Sequence, residues 1–369
     1  MKILVTGAKG FVGKNLIAEL RNRKYEDILE YDIDTDILLL DKYTRDCGFV
    51  FHLAGVNRPQ NENEFMEGNY GFTTVLLNKL REHGNKAPIL ITSSIQANLD
   101  NPYGKSKKAG EDVIFSYEKE TGSRALVYRL PNVFGKWCRP NYNSVIATFC
   151  NNIANGLEIK VNDPASIMKL VYIDDVVDEF INALEGKENK LDKYCLVPVE
   201  HTVTLGKIAE LIQSFKDSRV SLSVPNMSNE FEKKLYSTYL SYLPNEQFSY
   251  PLKMNIDERG SFTEFIRTPE RGQVSINISK PGITKGNHWH HSKNEKFLVV
   301  NGKGVIKFRQ IDSNDVIEYY VSGDKLEVID IPTGYAHNII NLGDSEMVTV
   351  MWANESFNTE KPDTYYLEV

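Results

Sequence analysis

The stretch that decides the fold of the first half is Gly7-Ala8-Lys9-Gly10-Phe11-Val12-Gly13. It follows a short apolar run at 2–6 that predicts a buried strand, and it opens a helical pattern at 13–22. Glycines at GxxGxxG spacing let backbone amides approach a pyrophosphate at the positive end of a helix. Asp32 and Asp34 follow about 20 residues later, at the end of the next predicted strand. This context predicts a dinucleotide site.

Around this stretch, residues 1–243 alternate between short β-branched runs and longer helical patterns. That alternation is typical of a parallel sheet with crossover helices. The predicted strands include 2–6, 27–31, 49–53, 88–92 and 123–129, and the predicted helices include 13–22, 69–83 and 104–121. We therefore predict an α/β, doubly wound domain of the Rossmann type over residues 1–243.

The second half of the chain has a different period. Residues 244–251 are aromatic and proline-bearing without a clear pattern, and we interpret them as a linker. Residues 252–369 then contain alternating runs separated by glycine and proline turns, namely 274–279, 296–300, 304–309, 317–321, 326–331 and 347–352. This spacing predicts an all-β sandwich or barrel as a second domain.

Composition excludes several classes of protein. The chain has 369 residues, 41% hydrophobic and 25% charged, as in ordinary globular proteins. Its 43 basic and 50 acidic residues give a net charge of −7, which argues against nucleic-acid or anionic-membrane partners. No apolar run approaches the ~18 residues of a membrane span, and the strand at 2–6 leaves no room for a signal peptide. Four cysteines without a CxxC pair indicate reduced thiols, so we expect a cytoplasmic protein.

Tyr103 and Lys107 form a candidate catalytic pair. They are four residues apart in a predicted helix, so both side chains share one face. A phenol has a pKa near 10, and a neighbouring ammonium stabilises the phenolate. The hydroxyl can therefore protonate a carbonyl oxygen as a hydride reaches the carbon. Ser94 lies at the end of the preceding strand, where its hydroxyl can bind the same oxygen.

Four histidines lie in the last quarter of the chain and indicate a metal site. His288 and His290 alternate, so both imidazoles point to one face of a strand. We expect Glu295 to come from the neighbouring strand of a hairpin turned at 301–304, and His337 from further along the chain. Three imidazoles and a carboxylate suit zinc, iron, manganese or nickel.

Several motifs in residues 1–243 resemble the extended short-chain dehydrogenase/reductases of the nucleotide-sugar branch. They are Gly7 to Gly13, His52-Leu53-Ala54-Gly55, Asn69 with Thr73, Ser93-Ser94, Tyr103 to Lys107, Arg129 to Gly135 and Val171 to Val176. The resemblance implies a catalytic triad of Tyr103, Lys107 and Ser94, with Ser94 preferred over Ser93, and it implies that Asn132 faces the nucleotide sugar. The implied cofactor contacts are Gly7, Lys9, Gly10, Phe11, Val12, Gly13, Asp32, Leu53, Ala54, Tyr103 and Lys107.

The choice between the two nicotinamide cofactors stays open on the residues alone. Asp32 or Asp34 can take the ribose hydroxyls of NAD, whereas Lys9 can pair with the 2′-phosphate of NADP. We expect NADPH because biosynthetic reductases of the family use it, with NAD as the alternative. The region 34–49 is shorter than is usual in the family, so residues of the adenine pocket are not assigned.

Two motifs in the second half resemble the cupins. The pattern HxHx4Ex6G runs from His288 to Gly302, and PxGxxHxxxN runs from Pro332 to Asn341, with the glycine expected before that proline displaced to Gly323. The resemblance implies that His288, His290, Glu295 and His337 hold Zn2+ or another divalent metal, and it leaves His291 outside the motif.

The segments 257–262 and 285–288 are similar to the cupin epimerases of nucleotide 4-keto-6-deoxy sugars. Those epimerases use a histidine base near position 288. If His288 binds the metal here, it cannot also be a free base.

The pairing of such a reductase with a C-terminal cupin resembles a family of bifunctional capsular polysaccharide synthesis enzymes. The resemblance implies C3 epimerisation of a UDP-linked 2-acetamido-2,6-dideoxy-4-hexulose, followed by NADPH-dependent reduction at C4. The product would be UDP-2-acetamido-2,6-dideoxy-L-talose, for L-fucosamine synthesis, and the enzyme would be a homodimer. One alternative is a single-activity reductase or epimerase whose cupin only braces or dimerises the protein. The other is a non-catalytic, redox-sensing binding module, against which the retention of Tyr103 and Lys107 argues.

Overall fold

The chain forms two compact units in a computed structural model that describes residues 1–268, 270–356, 358–360 and 362–369. The first unit comprises Met1–Gln213 and Asn229–Pro244, and the second comprises Ser214–Ser228 and Asn245–Val369. The sequence-based boundaries differ from these units at 214–228. Those residues join the second unit because Val224 N donates to Arg267 O at 2.9 Å and Arg267 N donates to Leu222 O at 2.7 Å.

The first unit is built on a parallel sheet. Its strands are β1 (Ile3–Thr6), β2 (Ile28–Tyr31), β3 (Phe49–His52), β4 (Ile89–Ser94), β5 (Ala125–Leu130), β6 (Asn132–Phe134), β7 (Ile167–Tyr172), β8 (Lys190–Leu191), β9 (Tyr194–Cys195) and β10 (His201–Thr204). Seven of them form one sheet in the order β2-β1-β3-β4-β5-β9-β8, and β10-β7-β6 form a second. Strands β1 to β5 pair in parallel. The strand order reverses between β1 and β3, and ligands of such sheets bind beyond the carboxyl ends at that point.

Helices cover both faces of the seven-stranded sheet. The helices of the described residues are α1 (Phe11–Asn22), α2 (Ile37–Asp46), α3 (Asn63–Met66), α4 (Phe72–Glu82), α5 (Pro102–Thr121), α6 (Val145–Ala154), α7 (Ile173–Leu184), α8 (Leu205–Ser221) and α9 (Glu230–Leu240). Of these, α1 and α7 pack on one face of the sheet and α4 and α5 on the other, and α8 continues into the second unit. Along β1, Ile3 and Val5 join a buried cluster with α1 and α7, whereas Leu4 joins another cluster with α4 and α5. Side chains that alternate between two helical layers confirm the predicted doubly wound α/β half.

The second unit contains two antiparallel sheets. Its strands are β11 (Met254–Asp257), β12 (Gly260–Thr268), β13 (Gly272–Ser279), β14 (Thr284–Trp289), β15 (Glu295–Asn301), β16 (Lys303–Gln310), β17 (Val316–Ser322), β18 (Val328–Ile331), β19 (Tyr335–Asn341), β20 (Met347–Ala353) and β21 (Tyr365–Tyr366). The sheet orders are β11-β12-β13-β20-β15-β18 and β17-β16-β19-β14-β21. A buried cluster including Phe297, Ile306, Ile339 and Met347 packs residues of both sheets together. The predicted all-β second half is therefore confirmed.

The predicted hairpin turned at 301–304 is wrong. Strand β15 lies in the six-stranded sheet and β16 in the five-stranded sheet, so the two are not paired. The chain passes from one sheet to the other at Gly302, whose φ is +85° and where a Cβ would lie 2.9 Å from the Met347 Cα. Glu295 and His288 consequently belong to different sheets. No helix in the described part of the chain combines the length and apolar composition needed to cross a membrane.

Candidate active site and metal centre

The glycine turn at the start of α1 leaves no space for side chains at Gly7 and Gly13. A Cβ on Gly7 would lie 2.7 Å from Ala54 N, and one on Gly13 would lie 2.2 Å from Gly7 O. The helix begins without a side-chain hydrogen bond at its N-cap and without an acidic residue in its first turn, so no side chain of these positions competes for its first amides. These features fit the pyrophosphate of a dinucleotide, because the turn excludes side chains and the helix end attracts an anion.

The three charged candidates for cofactor choice lie together at this turn. Asp32 Oδ2 accepts from the Lys9 amide at 2.7 Å, and Asp32 Oδ1 accepts from the Ile33 amide at 2.8 Å. Asp32 therefore stabilises the backbone of the glycine turn at Lys9. The Lys9 ammonium forms an ion pair with Asp34, and this pair holds the pKa of the Asp34 carboxyl below its usual range. Both side chains are more than half exposed, so the pair is free to open.

Tyr103, Ser94 and Lys107 meet beside the same cavity. Helix α5 starts at Pro102 and is capped by Asn101, whose side chain accepts from Gly104 N at 2.7 Å. Burial raises the pKa of the Tyr103 phenol, and a hydrogen bond with Ser94 acts in the opposite direction. Lys107 Nζ lies 5.8 Å from the centre of the Tyr103 ring and donates to Thr92 O at 3.3 Å. Burial lowers the pKa of Lys107 to about 8, while Glu111 acts to raise it.

A buried ion pair that sequence reasoning missed supports this triad. Glu111 is fully buried and accepts from Arg129 Nε at 2.7 Å and Arg129 Nη2 at 2.6 Å. Ser93 Oγ donates to Glu111 Oε1 at 2.6 Å, which directs Ser93 away from the Tyr103 hydroxyl and leaves Ser94 beside it. Glu111 follows Lys107 by four residues on α5, so helical spacing alone was a signal that these groups share a face.

A neutral histidine connects the ends of β1 and β3. His52 Nδ1 lies 2.7 Å from Thr6 Oγ1, and His52 Nε2 lies 2.8 Å from Thr73 Oγ1. Burial lowers the pKa of His52 to about 3, so the ring stays uncharged. Thr73 in turn donates to the carbonyl of Asn69 at 2.6 Å, within a π-helical turn at Glu67–Gly71. This chain of bonds fixes the strand end that leads to Leu53 and Ala54.

The cavity beside the triad is about 780 Å³ in volume. The glycine turn, Leu53, Ser94, Tyr103, Lys107 and Asn132 all line it. Ala54 lies directly behind Gly7. The sequence reasoning missed the wall opposite, which Trp137, Cys138, Arg139, Tyr142, Asn143 and Ser144 form. Trp137 has a left-handed φ of +68°, and the Arg139 guanidinium lies 5.1 Å from the Tyr142 ring centre.

The four predicted metal ligands come together in the second unit. Candidate ligand atoms of His288, His290, Glu295 and His337 all lie within 4.8 Å of one another. His288 and His337 are register partners of β14 and β19, whereas Glu295 begins β15 in the other sheet. Both sheets therefore contribute to the cluster.

The buried atoms of this cluster lack hydrogen-bond partners. His290 Nε2, His337 Nε2 and Glu295 Oε2 are buried and unsatisfied, with Oε2 3.5 Å from the first and 3.3 Å from the second. The Nδ1 atoms of the two rings face the carbonyls of Asp363 and Tyr335. A carbonyl only accepts, so each Nδ1 carries the proton and each Nε2 presents a lone pair. Such a donor set fits a divalent metal ion.

The electrostatics of the cluster agree with this assignment. Burial lowers the pKa of His288 to about 4, with His337 adding to the effect, so the imidazole is neutral as a ligand must be. Burial raises the pKa of Glu295, but the Lys293 ammonium, 3.3 Å from Glu295 Oε1, acts in the opposite direction, and the pKa lies below the ordinary value overall. Glu295 is thus a carboxylate.

A second cavity, of about 1110 Å³, opens onto the cluster. His288, Glu295 and His337 line it together with the charged residues Lys253, Asp257, Arg259, Glu264, Arg267, Lys285 and Lys293. The Lys285 ammonium donates to Asn277 Oδ1 at 2.8 Å, Ile278 O at 2.8 Å and Ser261 O at 3.3 Å, so all its hydrogens are used. His291 lies outside this cavity, with its ring against Tyr365.

Two family models match the chain, one within each of the two units. The model of the NAD dependent epimerase/dehydratase family matches residues 3–195. The model of the polysaccharide biosynthesis C-terminal domain matches residues 255–365. The first match contains the glycine turn and the triad, and the second contains the four candidate metal ligands.

Individual relatives match over the whole length. The chain is 43% identical over 369 residues to the UDP-2-acetamido-2,6-beta-L-arabino-hexul-4-ose reductase of Pseudomonas aeruginosa, covering 100% of this chain and 99% of the other. The crystal structure of the capsular polysaccharide assembling protein CapF from Staphylococcus aureus is 57% identical with a TM-score of 0.95, and each chain covers 100% of the other.

A UDP-glucuronic acid 4-epimerase from Bacillus cereus covers 66% of this chain and 99% of its own at 19% identity and a TM-score of 0.55, which supports the fold of the first unit alone. The full-length matches confirm the resemblance to the two-domain capsular polysaccharide enzymes. The chain belongs to the NAD-dependent epimerase/dehydratase family and joins that domain to a polysaccharide biosynthesis C-terminal domain.

Proposed function

We propose that this protein is a bifunctional nucleotide-sugar enzyme of capsule synthesis. Its second unit, a metal-binding cupin, epimerises C3 of a UDP-2-acetamido-2,6-dideoxy-4-hexulose. Its first unit then reduces C4 to give UDP-2-acetamido-2,6-dideoxy-L-talose, a precursor of L-fucosamine. The observation that carries the reductase assignment is the meeting of Tyr103, Ser94 and Lys107 beside a cavity that also exposes the glycine turn. The name of the full-length Pseudomonas relative, a hexul-4-ose reductase, supports the same substrate class.

In the reductase half, the residues of the triad handle the proton. When bound, NADPH supplies the hydride that reaches C4 of the ketone. The Tyr103 hydroxyl donates its proton to the C4 oxygen, and Ser94 donates a hydrogen bond that holds that oxygen in place. The raised pKa keeps the phenol protonated before the reaction, which suits an acid in the direction of reduction. The charged Lys107 stabilises the phenolate that remains.

Conversion of Tyr103 to Phe tests the reductase assignment. Removal of the acid should lower kcat for NADPH oxidation by about 10²- to 10⁴-fold with the 4-keto sugar nucleotide as substrate. Tyr70→Phe is the matched control, because Tyr70 is exposed and does not line the cavity. NADPH oxidation by Tyr103→Phe at the wild-type rate would refute the assignment.

The epimerase half uses the acidity of the proton next to the ketone. The C4 carbonyl acidifies the C3 hydrogen, so a base can remove it and a proton can return on the opposite face. A bound metal would supply a Lewis acid for the enolate oxygen. The fixed ammonium of Lys285 adds a positive charge to the same cavity. The order of steps follows, because reduction of C4 removes the ketone on which epimerisation depends.

We also propose a homodimer. Strand β17 is the edge of the five-stranded sheet, and Val316, Ile317, Tyr319 and Tyr320 on it are 46–70% exposed. An apolar edge strand tends to pair with another chain, and the same edge on a second copy would satisfy it. Light scattering should give twice the mass of 42.0 kDa, and Ile317→Lys should shift it toward the monomer. A wild-type monomer at micromolar concentration would contradict the dimer.

A single-activity enzyme is the alternative function. In that case the metal cluster would brace the second unit or its dimer, and the reductase would act on a sugar epimerised elsewhere. The burial of three of the four ligands is compatible with such a role. The large charged cavity onto which the cluster opens favours chemistry, because a bracing metal needs no access to substrate.

A further inference from the structure

The last residues of the chain run alongside the metal strand. Strand β21 pairs with β14 at the His288–Tyr366 and Trp289–Tyr365 positions. Leu367 N donates to Asn287 O at 3.0 Å, so the pairing continues past the strand. The Trp289 and Tyr365 rings also lie 5.2 Å apart. The C-terminal segment 362–369 therefore pairs with the strand that contains His288 and leads into His290.

One side chain of this segment organises the turn between the ligands. Asp363 Oδ1 accepts from His291 N at 2.9 Å, and Oδ2 accepts from Ser292 N at 2.7 Å and Lys293 N at 2.8 Å. Ser292 Oγ also donates to Oδ2 at 3.0 Å, which makes four hydrogen bonds to this carboxylate. A single carboxylate thus accepts hydrogen bonds from three successive backbone amides. The turn that these bonds hold runs from His290, just past the end of β14, to Glu295, the first residue of β15 in the other sheet. Its shape therefore sets how far apart these two candidate ligands lie.

The backbone of the same residue orients a ligand ring. The Asp363 carbonyl accepts from His290 Nδ1, which fixes the proton on Nδ1 and turns Nε2 toward Glu295 and His337. Groups that hold a ligating histidine in this way determine its tautomer and its orientation. Asp363 itself is outside the cluster of candidate ligands.

We propose that Asp363 is a positioning residue of the metal centre, which fixes the His290 ring and the spacing between His290 and Glu295. The inference rests on the proposed metal binding. It assigns to the C-terminal segment a role in metal retention in addition to its place in the sheet. The segment therefore belongs functionally to the metal site, although it lies about 70 residues beyond His290 and Glu295 in sequence.

Metal release from the full-length, metal-loaded protein tests this inference. Transfer of Zn2+ to an excess of a chromogenic chelator should be about 10- to 100-fold faster from Asp363→Ala than from the wild type. Asp363→Asn should be intermediate, because its amide nitrogen cannot accept a hydrogen bond from a backbone amide. Tyr366→Phe is the control, since its exposed hydroxyl donates to Glu368 on the same segment and it should release zinc at the wild-type rate.

Melting temperatures with and without metal separate positioning from a general structural role. For Asp363→Ala, the increase in melting temperature on adding Zn2+ should be smaller than in the wild type, while the metal-free proteins melt close together. Equal zinc release by the wild type and Asp363→Ala would overturn the inference, as would an equal loss of stability with and without metal. A wild-type protein that binds no metal would instead overturn the proposed metal centre itself.

Discussion

Lys107 determines the pH range in which the proposed reduction proceeds. Burial lowers its pKa to about 8, and the charged form is the one that stabilises the Tyr103 phenolate. The charge is present below pH 8 and is lost as the pH rises through that value. We therefore expect kcat for reduction to fall above about pH 8.

The matched variant for this prediction is Lys107→Arg. A guanidinium stays charged throughout this range, so the decrease near pH 8 should disappear even if the maximal rate is lower. A wild-type profile that is flat through pH 8, or a variant that keeps the same decrease, would show that Lys107 does not control the rate.

Lys9 is the residue that we expect to distinguish the cofactors. Its partner Asp34 is exposed, so the ammonium can leave that ion pair for a 2′-phosphate. Lys9→Ala should lower the ratio of kcat/KM for NADPH to kcat/KM for NADH about tenfold, which corresponds to about 1.4 kcal/mol. Asp34→Asn should preserve or raise the ratio. An unchanged ratio in Lys9→Ala would remove the residue-level support for NADPH.

Helix α5 carries both a reactive pair and the charge that supports it. Glu111 is fully buried and the Arg129 side chain is 16% exposed, and loss of one partner leaves the charge of the other without its counter-ion. Glu111→Gln should lower the free energy of unfolding of the first unit by about 3–5 kcal/mol. Asp112→Asn on the exposed face of the same helix should change it little, since the ion pair of Asp112 with Lys108 lies at the surface. Thermal unfolding of both variants checks this; equal stability of the two would contradict the burial argument.

The elements that the sequence predicted well are those whose signal is local. The strand at β1, the glycine turn and α1 follow one another in the chain, and their apolar spacing and glycines are enough to place them. Tyr103 and Lys107 were found for the same reason, since one turn of α5 separates them. The candidate ligands His288 and His290 also lie within three residues of each other.

The elements that the sequence did not predict depend on contacts between distant parts of the chain. Strand β14 (Thr284–Trp289) has no apolar alternation, because its residues border the cavity and the four candidate metal ligands instead of the core. The passage of the chain from one sheet to the other at Gly302 resembles a hairpin in sequence, because glycine turns occur both in hairpins and in connections between sheets. The Arg129 pair of Glu111 and the return of Asp363 to His290 join residues 18 and 73 positions apart. Spacing along the chain carries no signal for such pairs.

At the scale of the whole molecule, two sites of different chemistry lie on one chain. A net charge of −7 does not prevent binding of a diphosphate, because the helix end and a few local cations at each cavity suffice. If the proposed order of steps is correct, the product of epimerisation in the second unit is the substrate for reduction in the first unit. The two activities should therefore be separable by withholding NADPH, which stops reduction and leaves epimerisation intact.

One chain performs both steps in the proposed function, and proton exchange at C3 is the decisive measurement. The full-length wild-type protein is incubated without NADPH in deuterated water with the UDP-linked 4-keto sugar, and deuterium at C3 is followed by NMR. We predict incorporation well above the enzyme-free rate, and its loss in His290→Ala. No incorporation at C3 by a wild-type protein that oxidises NADPH with the same sugar would contradict the account and leave a reductase with a structural second unit.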